Sequence, residues 1–561
     1  MATLDPDYEY WISRKVKISE EFNKLRIMKS EKQKKVEEEK LIHEENQKKI
    51  AELEKKIKEI KDSLNENSKQ TVLNSSAPFQ IFKSITSTYM RQETKEFDPS
   101  LMPCELKADE EDDNFFEWFF VLGEQTGCKE PMTIFTYPEN NKFAESAQGR
   151  VLGNFAFPTG IESNVYKTKE TKRRLAGIYD SELKRDGQHF VFSIKSDLDK
   201  PPAKYRERAN YKKDLLYCCC VFVEELTDSI NGTYIAQKRC YCLVTYFPCF
   251  DFLFNLLFYS IRQKFLAEKQ VLVEATDDYS LQTALQRIMR GDYLEETKKV
   301  IMFFENRKVS SGAVDYGAVN FQIGKDYNFM DVKWFSKELF TSFKFDDFWY
   351  LLCAILQESS ILFIGNNLDQ LSSCVLGFHG LIRPFYWPHV LTPILPSSLF
   401  EILEAPFPLL VGIPSQANSN LRKKLSHLII VDLNSRNLEQ RIQKPLTLDN
   451  IVLLSDHNTY ELRSMYRNIE EKIKRNQDFD KIAQDFVFQV KCFILKHFNQ
   501  MQAAQSSFSD LGNVDKAIQI LRENSIQDVE FKFKFYSTQM CINYIEELYM
   551  HKSNRTRRSV I

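Results

Sequence analysis

The chain has 561 residues and a formal net charge of −2 at pH 7, from 76 basic and 78 acidic side chains. Its length predicts about three or four domains, and a hydrophobic fraction of 43% with 44 Phe excludes a chain that is disordered throughout. The nearly neutral balance excludes global charge as a reason to expect nucleic acid or an anionic membrane as the main partner.

The N-terminus and the longest apolar run give no sign of a membrane protein. Residues 1–11 are acidic and lack the apolar core of a signal peptide, so we expect no cleaved leader. The longest apolar run, residues 240–261, contains Pro248 and Asp251 and therefore predicts a buried strand followed by a helix. We expect a soluble, cytoplasmic protein.

The cysteines show no pattern that indicates a metal site. The 12 Cys lie mostly inside apolar runs, such as residues 217–221 and 240–242, without a CxxC pair or a Cys and His spacing suited to a ligand set. This distribution favours buried, reduced thiols over the alternatives, zinc ligands or disulfides. We therefore expect no metal and no cofactor.

Residues 14–68 are rich in Lys and Glu and contain no Pro or Gly, which predicts a charged helix. In its second half the apolar residues recur at the spacing of a coiled-coil seam: Ile50, Leu53, Ile57, Ile60 and Leu64. His43 and Asn46 interrupt this seam upstream. The segment is either a coiled coil that would make the chain a homodimer or a lone charged helix.

A polar segment separates this helix from the first folded domain. Residues 69–110 are polar and predict a linker that leads into an acidic run at 109–113. Short apolar runs then recur, separated by polar connections, at residues 115–123, 153–160, 189–194 and 215–224. This pattern predicts several strands joined by long loops.

One strand, residues 241–245, precedes a series of helices. We expect helices at residues 248–267, 281–289 and 347–357. Pro248 suits the first turn of the first helix. Asp346 is placed to cap the third, because its carboxylate can accept an exposed backbone N–H.

Residues 358–435 alternate short apolar strands with helices. We expect strands at 361–365, 408–413 and 428–432, and helices at 368–381, 397–403 and 421–425. Continuous apolar strands that alternate with helices predict a parallel sheet covered on both faces. Gly365, Asn366 and Asn367 after the first strand could contact a phosphate, but a single Gly with an Asn pair favours a plain strand-to-helix turn.

The C-terminal region from about residue 456 is helical by its period. One helix face collects Phe486, Val490, Phe493, Ile494 and Phe498. The last residues are basic, with Arg555, Arg557 and Arg558, and are either solvated chain or a weak anchor to a membrane surface.

Residues 383–396 carry four Pro, one Trp and one His at spacings similar to those of the central segment of DENN domains. The likeness continues through residues 403–412 and 431–433. Other segments resemble the remaining parts of the family and occur in the family's order. Residues 157–160 resemble the upstream lobe, residues 241–250 and 355–363 the central lobe, and residues 538–545 the downstream lobe. The residues that carry the resemblance are Phe157, Pro158, Gly160, Pro248, Glu358, Arg383, Pro384, Trp387, His389, Pro393, Pro396, Glu404, Ala405, Pro406, Pro408, Gly412 and Asp432.

The resemblance covers residues 115–550 and implies an α/β, bilobed DENN module. It implies a longin-like upstream lobe at 111–228, a central α/β lobe at 235–445 and a helical downstream part at 446–552. Before these lie the segments 1–13, 14–68 and 69–110, and after them the basic tail 553–561. Residues 164–213 and 277–326 depart from the family pattern, so the boundaries there are the least defined.

What the resemblance implies about function is guanine-nucleotide exchange on a Rab-type small GTPase, in vesicle or endosomal trafficking. An exchange factor binds the nucleotide-free GTPase most tightly and thereby lowers its affinity for nucleotide. That activity requires no covalent catalysis, and the sequence contains no nucleotide-binding, zinc-protease or hydrolase motif. The signature residues are expected to be mainly structural, and the sequence does not select the residues that bind the GTPase.

Two other functions remain open. The DENN-like body could bind a GTPase or another partner as a dimerising scaffold without exchange. It could also be a GTPase-activating partner that stabilises phosphate charge with an arginine, for which the candidates are Arg173, Arg174, Arg206 and Arg208. The basic cluster Lys172 to Arg174 is expected on a solvated loop, where it could also meet acidic lipid or an acidic partner.

Overall fold

The computed structural model describes most of the chain after residue 114. The chain divides into two compact units, residues 1–98 and 99–561, and every described residue belongs to the second. The described residues are 115–124, 130–139, 142–180, 189–195, 215–230, 233–305, 313–316, 319–322, 330–414, 425, 427–435, 441–444, 451–455, 459–504 and 528–546. Several sequence predictions lie outside these residues. They concern the segments 1–13, 14–68, 69–110 and 553–561, the helix at 421–425 except for its last residue, and Arg206 and Arg208.

Six strands form the first sheet, and all their pairs are antiparallel. They are β1 (Trp118–Gly123), β2 (Met132–Tyr137), β3 (Ser163–Lys167), β4 (His189–Lys195), β5 (Leu215–Ile230) and β6 (Thr233–Thr245). The order is β2-β1-β6-β5-β4, and β3 pairs with the first half of β6 on the side where β1 pairs with its second half. The long β5–β6 hairpin is therefore the centre of the sheet.

The end of this hairpin farthest from its turn, residues 215–221 and 240–244, is buried on both faces, which explains why its sequence is continuously apolar rather than alternating. The sheet also extends past residue 235, where the sequence predicted the central lobe to begin. Residues 240–244 of β6 pair with β1 on one side and with β5 on the other. The chain therefore leaves the first sheet only after Thr245.

Two helices, α1 (Lys142–Glu145) and α2 (Ala147–Ala156), cover one face of the first sheet. The Phe143 ring stacks on Trp118 with centroids 4.3 Å apart, and Phe155 stacks on Phe192 at 5.5 Å. The Ser146 hydroxyl begins α2 by accepting the Gly149 N–H at 3.1 Å.

Helix α3 spans Thr168–Asp180 and contains the basic cluster Lys172 to Arg174. The prediction that this cluster lies on a loop was therefore wrong. The helix forms because Thr171, Leu175 and Tyr179 recur every four residues and are all buried, so that one side of α3 packs against the protein.

Three helices and a hairpin follow the first sheet: α4 (Phe250–Glu274), α5 (Asp278–Arg290), α6 (Leu294–Glu305), β7 (Ala313–Tyr316) and β8 (Val319–Gln322). Helix α4 continues beyond its predicted end because Glu268 and Leu272 are also buried. The predicted helix at 281–289 is confirmed as α5. Asp277 caps it by accepting the Ser280 N–H at 2.7 Å, and Gly291 ends it with a φ of 77°.

Helices α7 (Val332–Ser342) and α8 (Phe345–Leu356) lead to the second sheet. The prediction that Asp346 caps α8 was wrong. Lys344 precedes the helix without a side-chain cap, and Asp346 lies in the first turn, where it accepts a hydrogen bond from Arg463 at 2.6 Å. The helix begins earlier than predicted because the Phe345 ring stacks on Trp349 at 5.8 Å.

The second sheet has five strands in the order β10-β11-β9-β12-β13. Its elements are β9 (Ile361–Gly365), α9 (Leu368–Leu381), β10 (Val390–Thr392), a 3-10 helix (Ser397–Glu404), β11 (Leu409–Pro414), β12 (Ile429–Asp432) and β13 (Ile442–Gln443). The first four strands of this order are parallel, and β13 is antiparallel to β12.

Both faces of this sheet are covered, as the alternating pattern predicted. Phe363 faces Phe378 of α9, with ring centroids 6.0 Å apart. Leu362 points to the opposite face, into a core that includes Leu403 of the 3-10 helix and Leu425. The predicted strands and the predicted helix at 368–381 are therefore confirmed.

The C-terminal helices are α10 (Tyr460–Lys474), α11 (Asp480–Ala504), α12 (Val529–Tyr536) and α13 (539–546). Their aromatic residues join those of α7 and α8, since the Tyr466 ring lies 5.1 Å from both Phe340 and Phe348. On α11, Phe486, Val490, Ile494 and Phe498 are buried and Phe493 is half-buried. No helix within the described ranges is long and apolar enough to cross a membrane.

Candidate functional site

The signature segment is anchored by a buried ion pair. The Arg383 guanidinium donates to both carboxylate oxygens of Asp331, at 2.6 and 2.8 Å, and its Nε donates to the Gly380 carbonyl at 2.9 Å. The two charged side chains are 3% and 7% exposed. Arg383 therefore fastens the end of α9 to the start of α7 and is not available to a partner.

Two aromatic residues of the same segment lie in the core. Trp387 is completely buried, and its indole N–H donates to the Val390 carbonyl at 3.0 Å. The Phe385 ring lies 4.6 Å from Tyr544 of α13 and 5.2 Å from Phe535 of α12. The segment thus joins the second sheet to the C-terminal helices.

Glu358 connects the same parts through its carboxylate. It follows α8 with a left-handed φ of 54°, which is costly for a residue with a side chain. Its two carboxylate oxygens accept the N–H groups of Gln539 and Met540, at 3.0 and 2.7 Å, and so cap α13. His389 Nε2 lies 3.2 Å from the same carboxylate.

The later signature residues shape the edge of the second sheet. Pro393 and Pro396 are buried on either side of Leu395, whose N–H donates to the Gly412 carbonyl at 2.8 Å. A Cβ atom on Gly412 would lie 2.1 Å from the Pro393 carbonyl oxygen, so only glycine fits there. Asp432 ends β12 and accepts the Asn434 N–H at 3.1 Å.

One end of the signature reaches the surface. Glu404, Pro406 and Phe407 are exposed, and the Phe407 side chain is 43% exposed although it is large and apolar. Among the described residues Glu404 forms no ion pair. Ala405 and Pro408 are half-buried between them. This short stretch is the part of the signature that a partner could touch.

The upstream signature residues lie around the first sheet. Phe157 and Pro158 are buried after α2, and the Phe157 ring lies 5.3 Å from Phe222 of β5. Gly160 has a φ of 86° in the turn that follows. Pro248 is buried just before α4.

The two sheets meet where β4 packs against α9 and β10. His189 Nε2 lies 3.3 Å from Asp369 Oδ1, and both side chains are at least nine-tenths buried. The Val191 N–H donates to the Ser372 hydroxyl at 3.3 Å, and the Ser193 hydroxyl donates to the Leu391 carbonyl at 3.2 Å. These polar contacts fix the position of one sheet relative to the other.

The turn after β9 does not resemble a phosphate site. The Asn367 side chain accepts the Asp369 and Gln370 N–H groups, at 2.9 and 3.4 Å, and the Asn366 N–H donates to Asn434. Side chains of the protein thus occupy the N–H groups that would bind a phosphate. The structure agrees with a plain strand-to-helix turn.

The candidate arginines differ in their surroundings. Arg174 lies 5.9 Å from the Tyr166 ring centroid, and Lys172 donates to the Ala275 carbonyl at the end of α4 at 2.9 Å. Arg173 is exposed on α3. Arg174 is exposed as well, so the guanidinium groups of both described candidates could reach a partner.

Three buried thiols are held in their protonated form. Burial raises the pKa of Cys249, Cys353 and Cys374 to about 12, so these thiols stay protonated at neutral pH. All the described cysteines are free, and no group of His, Cys, Asp and Glu within the described ranges is arranged to hold a metal ion.

Comparison with known proteins gives a match across the second sheet. Residues 236–436 match the model of the DENN (AEX-3) domain. These residues form a DENN domain. It begins inside β6, includes α4 to α9, and ends just after β12.

The chain is also similar to DENN domain-containing proteins of mammals. DENN domain-containing protein 1A of Mus musculus is 25% identical over 225 residues, which are 39% of this chain and 20% of that protein. DENN domain-containing protein 1B of Homo sapiens is 30% identical over 103 residues, 18% of this chain and 13% of that protein. DENN domain-containing protein 2A of Homo sapiens is 35% identical over 106 residues, 18% of this chain and 10% of that protein. The chain thus matches a fifth or less of the length of these relatives.

Sequence reasoning missed the residues that complete the site. Asp331 lies 52 positions before Arg383, and no local pattern connects them. His189, Asp369 and Ser372 were not singled out either, although a buried His inside an apolar strand is a signal that a polar partner is needed.

Proposed function

We propose that this chain is a guanine-nucleotide exchange factor for a Rab-type small GTPase. The DENN domain at residues 236–436 is the observation that supports this most, because DENN proteins are associated with Rab GTPases and with exchange. The chain would act in the cytoplasm or at the surface of trafficking membranes. It would act by binding alone, without covalent catalysis.

The physical basis is differential binding. An exchange factor that binds the nucleotide-free GTPase better than the loaded form speeds release in proportion to that difference. An acceleration of about 10⁴ needs only about 5.5 kcal/mol of preferential binding at the transition state. The hydrogen bonds from β4 to α9 and to β10 favour this mechanism, because two lobes held in a fixed relation lose little freedom when the partner binds.

Phe407 is the first contact that we would test. It is a large apolar side chain at the exposed end of the DENN signature, beside the exposed Glu404 and Pro406. Exposed aromatic residues contribute strongly to binding when a partner buries them. We therefore propose that Phe407 packs against the GTPase.

The decisive experiment measures release of fluorescently labelled GDP from a panel of Rab-type GTPases at catalytic amounts of the full chain. Accelerated release from one member would support exchange. Binding to a GTPase without acceleration would instead support a scaffold. Increased phosphate release that is lost in Arg173→Ala or in Arg174→Ala would support a GTPase-activating role. Failure to bind any nucleotide-free GTPase more tightly than the loaded form would overturn the proposal.

The matched control for Phe407 is Leu453, another exposed apolar residue, with 50% exposure on a segment outside the signature. On the responsive GTPase, Phe407→Ala should slow exchange about tenfold or more, and Leu453→Ala should not change it. Equal effects of the two variants would remove Phe407 from the interface.

A further inference from the structure

A cluster of ionisable side chains is buried where α3 and α4 pack against the β5–β6 hairpin. Lys264 Nζ of α4 lies 2.6 Å from Glu225 Oε1 of β5 and 3.1 Å from Glu268 Oε1, one turn later on α4. The Tyr241 hydroxyl of β6 donates to Glu225 at 2.5 Å. The side chains of Lys264 and Glu268 are 3% and 2% exposed. Lys264 and Glu268 therefore lie away from water, whereas the Glu225 side chain is 17% exposed.

The two carboxyl groups of this cluster differ in their counter-charges. Both share the Lys264 ammonium, but Glu225 also interacts with the Arg239 guanidinium of β6, whereas Lys264 is the cation that faces Glu268, and an incompletely neutralised charge is costly in a dry site. Burial lowers the pKa of Lys264, but its pKa lies well above the usual value, and the largest cause of the rise is the Glu225 carboxylate, which accepts a hydrogen bond from Lys264. Lys264 therefore stays charged. A proton on Glu268 would remove the carboxylate charge for which the cluster provides only a shared cation.

Glu268 is the carboxyl group suited to hold that proton. Glu225 already accepts hydrogen bonds from Lys264 and Tyr241. Within the described part of the chain, Glu268 Oε1 accepts no hydrogen bond of good geometry. Burial raises the pKa of the Glu268 carboxyl and the Glu225 charge adds to the rise, while Lys264 and a hydrogen bond from the Tyr179 hydroxyl oppose only part of it. The ionisable groups that face Glu268 are Lys264 of α4, Glu225 of β5, Tyr241 of β6, Tyr179 of α3 and Tyr293 of the turn after α5.

Helix α3 closes the cluster from one side. Tyr179 is 2% exposed, its hydroxyl faces Glu268, and its ring lies 5.0 Å from Phe265 of α4. Its backbone carbonyl accepts a hydrogen bond from Arg262, and the Lys172 side chain bonds to Ala275 near the other end of the helix. Water reaches Glu268 when α3 moves away from α4.

We propose that the Glu225–Lys264–Glu268 cluster is a proton-dependent fastening of α3: Glu268 holds a proton while α3 is docked, and loss of that proton releases α3. Helix α3 carries the exposed Arg173. Release of α3 from α4 would therefore change the position of the basic residues that this helix offers to a partner. The inference goes beyond nucleotide exchange and does not depend on it.

The sign of the pH dependence follows from proton linkage. With α3 released, Glu268 is in water and has an ordinary pKa, whereas in the docked state its pKa is raised. Docking is therefore fully stable below about pH 4.5, the ordinary range of Glu, and weakens as pH rises until the raised pKa is passed. Over that window the opening equilibrium of α3 should grow by up to about tenfold per pH unit.

Hydrogen exchange detected by mass spectrometry tests this on the full chain. Exchange rates for residues 168–180, corrected for the intrinsic effect of pH, are compared from about pH 5 to about pH 9, where buried Glu residues titrate. We expect protection of α3 to fall with rising pH in the wild-type chain and to stay constant in Glu268→Gln, which keeps the shape of the side chain. Protection of β4, residues 189–195, serves as the reference in the same samples.

Glu296→Gln is the matched control, since Glu296 pairs with Lys299 on the surface of α6 and this substitution should keep the wild-type profile. A flat profile in the wild-type chain, or the same slope in Glu268→Gln, overturns the proposal. If Glu268→Gln does not fold, infrared spectroscopy of the wild-type chain decides: a protonated carboxyl band that disappears as pH rises supports the proposal, and its absence at every pH overturns it.

Discussion

Glu358 holds the N-terminus of α13 from a position 182 residues earlier in the chain, because its carboxylate accepts the Met540 N–H at 2.7 Å. The same carboxylate lies 3.2 Å from His389 of the DENN signature. One side chain thus joins the end of α8, the signature segment and the last described helix. The residue is held at a left-handed φ of 54° to do so.

Removing this cap should loosen α13. Glu358→Ala leaves two helix N–H groups without their acceptor and should lower the free energy of unfolding by about 1–2 kcal/mol, as measured by urea denaturation. Amide exchange of residues 539–546 should increase more than that of β9. Glu404→Ala, at an exposed carboxylate near the end of the DENN signature, is the control and should be nearly neutral. An unchanged exchange rate for α13 in Glu358→Ala would contradict the capping role.

The buried pair of Arg383 and Asp331 predicts a large effect of charge removal. Asp331→Asn leaves the guanidinium buried without its counter-charge and should cost about 3–5 kcal/mol of stability. Arg463 and Asp346 form a pair with the same 2.6 Å distance, but Asp346 is 76% exposed, so Asp346→Asn should cost less than about 1 kcal/mol. Denaturant unfolding of both variants compares them. Similar losses would mean that burial does not govern the contribution of these pairs.

Two glycines offer a steric comparison. Gly412→Ala places a methyl group 2.1 Å from the Pro393 carbonyl and should destabilise the chain by about 1–3 kcal/mol, because β11 must move away from the signature segment. Gly177→Ala, inside α3, meets no atom within 4 Å and should stabilise the helix by about 0.5–1 kcal/mol. Thermal unfolding measures both. A tolerated Gly412→Ala would show that the close approach of the two segments is not required.

A histidine on α11 predicts acid sensitivity. Burial, and secondarily the nearby Lys532, lower the pKa of His497 from 6.5 to about 4. The folded state therefore binds this proton less readily than the unfolded state. Its contribution is fully present above about pH 6.5 and is lost as pH falls towards about 4, by roughly 3 kcal/mol.

Urea unfolding as a function of pH measures this loss. His497→Gln, which cannot titrate, should remove that part of the slope between about pH 6.5 and about pH 4. A profile for the variant that follows the wild-type chain through this window would rule out His497 as its cause.

The sequence predicted the elements whose pattern is local and continuous. The strands at 361–365, 408–413 and 428–432 and the helix at 368–381 were evident because each is a short apolar run bounded by turn residues. The parallel sheet followed from their alternation. The DENN signature then indicated the family of the domain, since its prolines and aromatic residues recur at fixed spacings.

The errors have a common physical cause, which is that distant residues decide the outcome. Asp346 is a good capping residue, but its carboxylate accepts a hydrogen bond from Arg463, and the stacking of Phe345 on Trp349 accompanies a helix start two residues earlier than predicted. The charges of α3 concealed a buried stripe at four-residue spacing. The pairing of β6 with β1 and the bond from Arg383 to Asp331 depend on the completed fold, and no local pattern reveals them.

The packing of α9 beside β4 has a consequence for self-association. An outer strand of a sheet presents unpaired amide groups that can recruit strands from other molecules. At β4 the Val191 amide is instead bonded to the Ser372 hydroxyl, and α9 and β10 lie along that side of the strand. A foreign strand could join there only by displacing a helix, so this border of the sheet is protected against edge-to-edge aggregation.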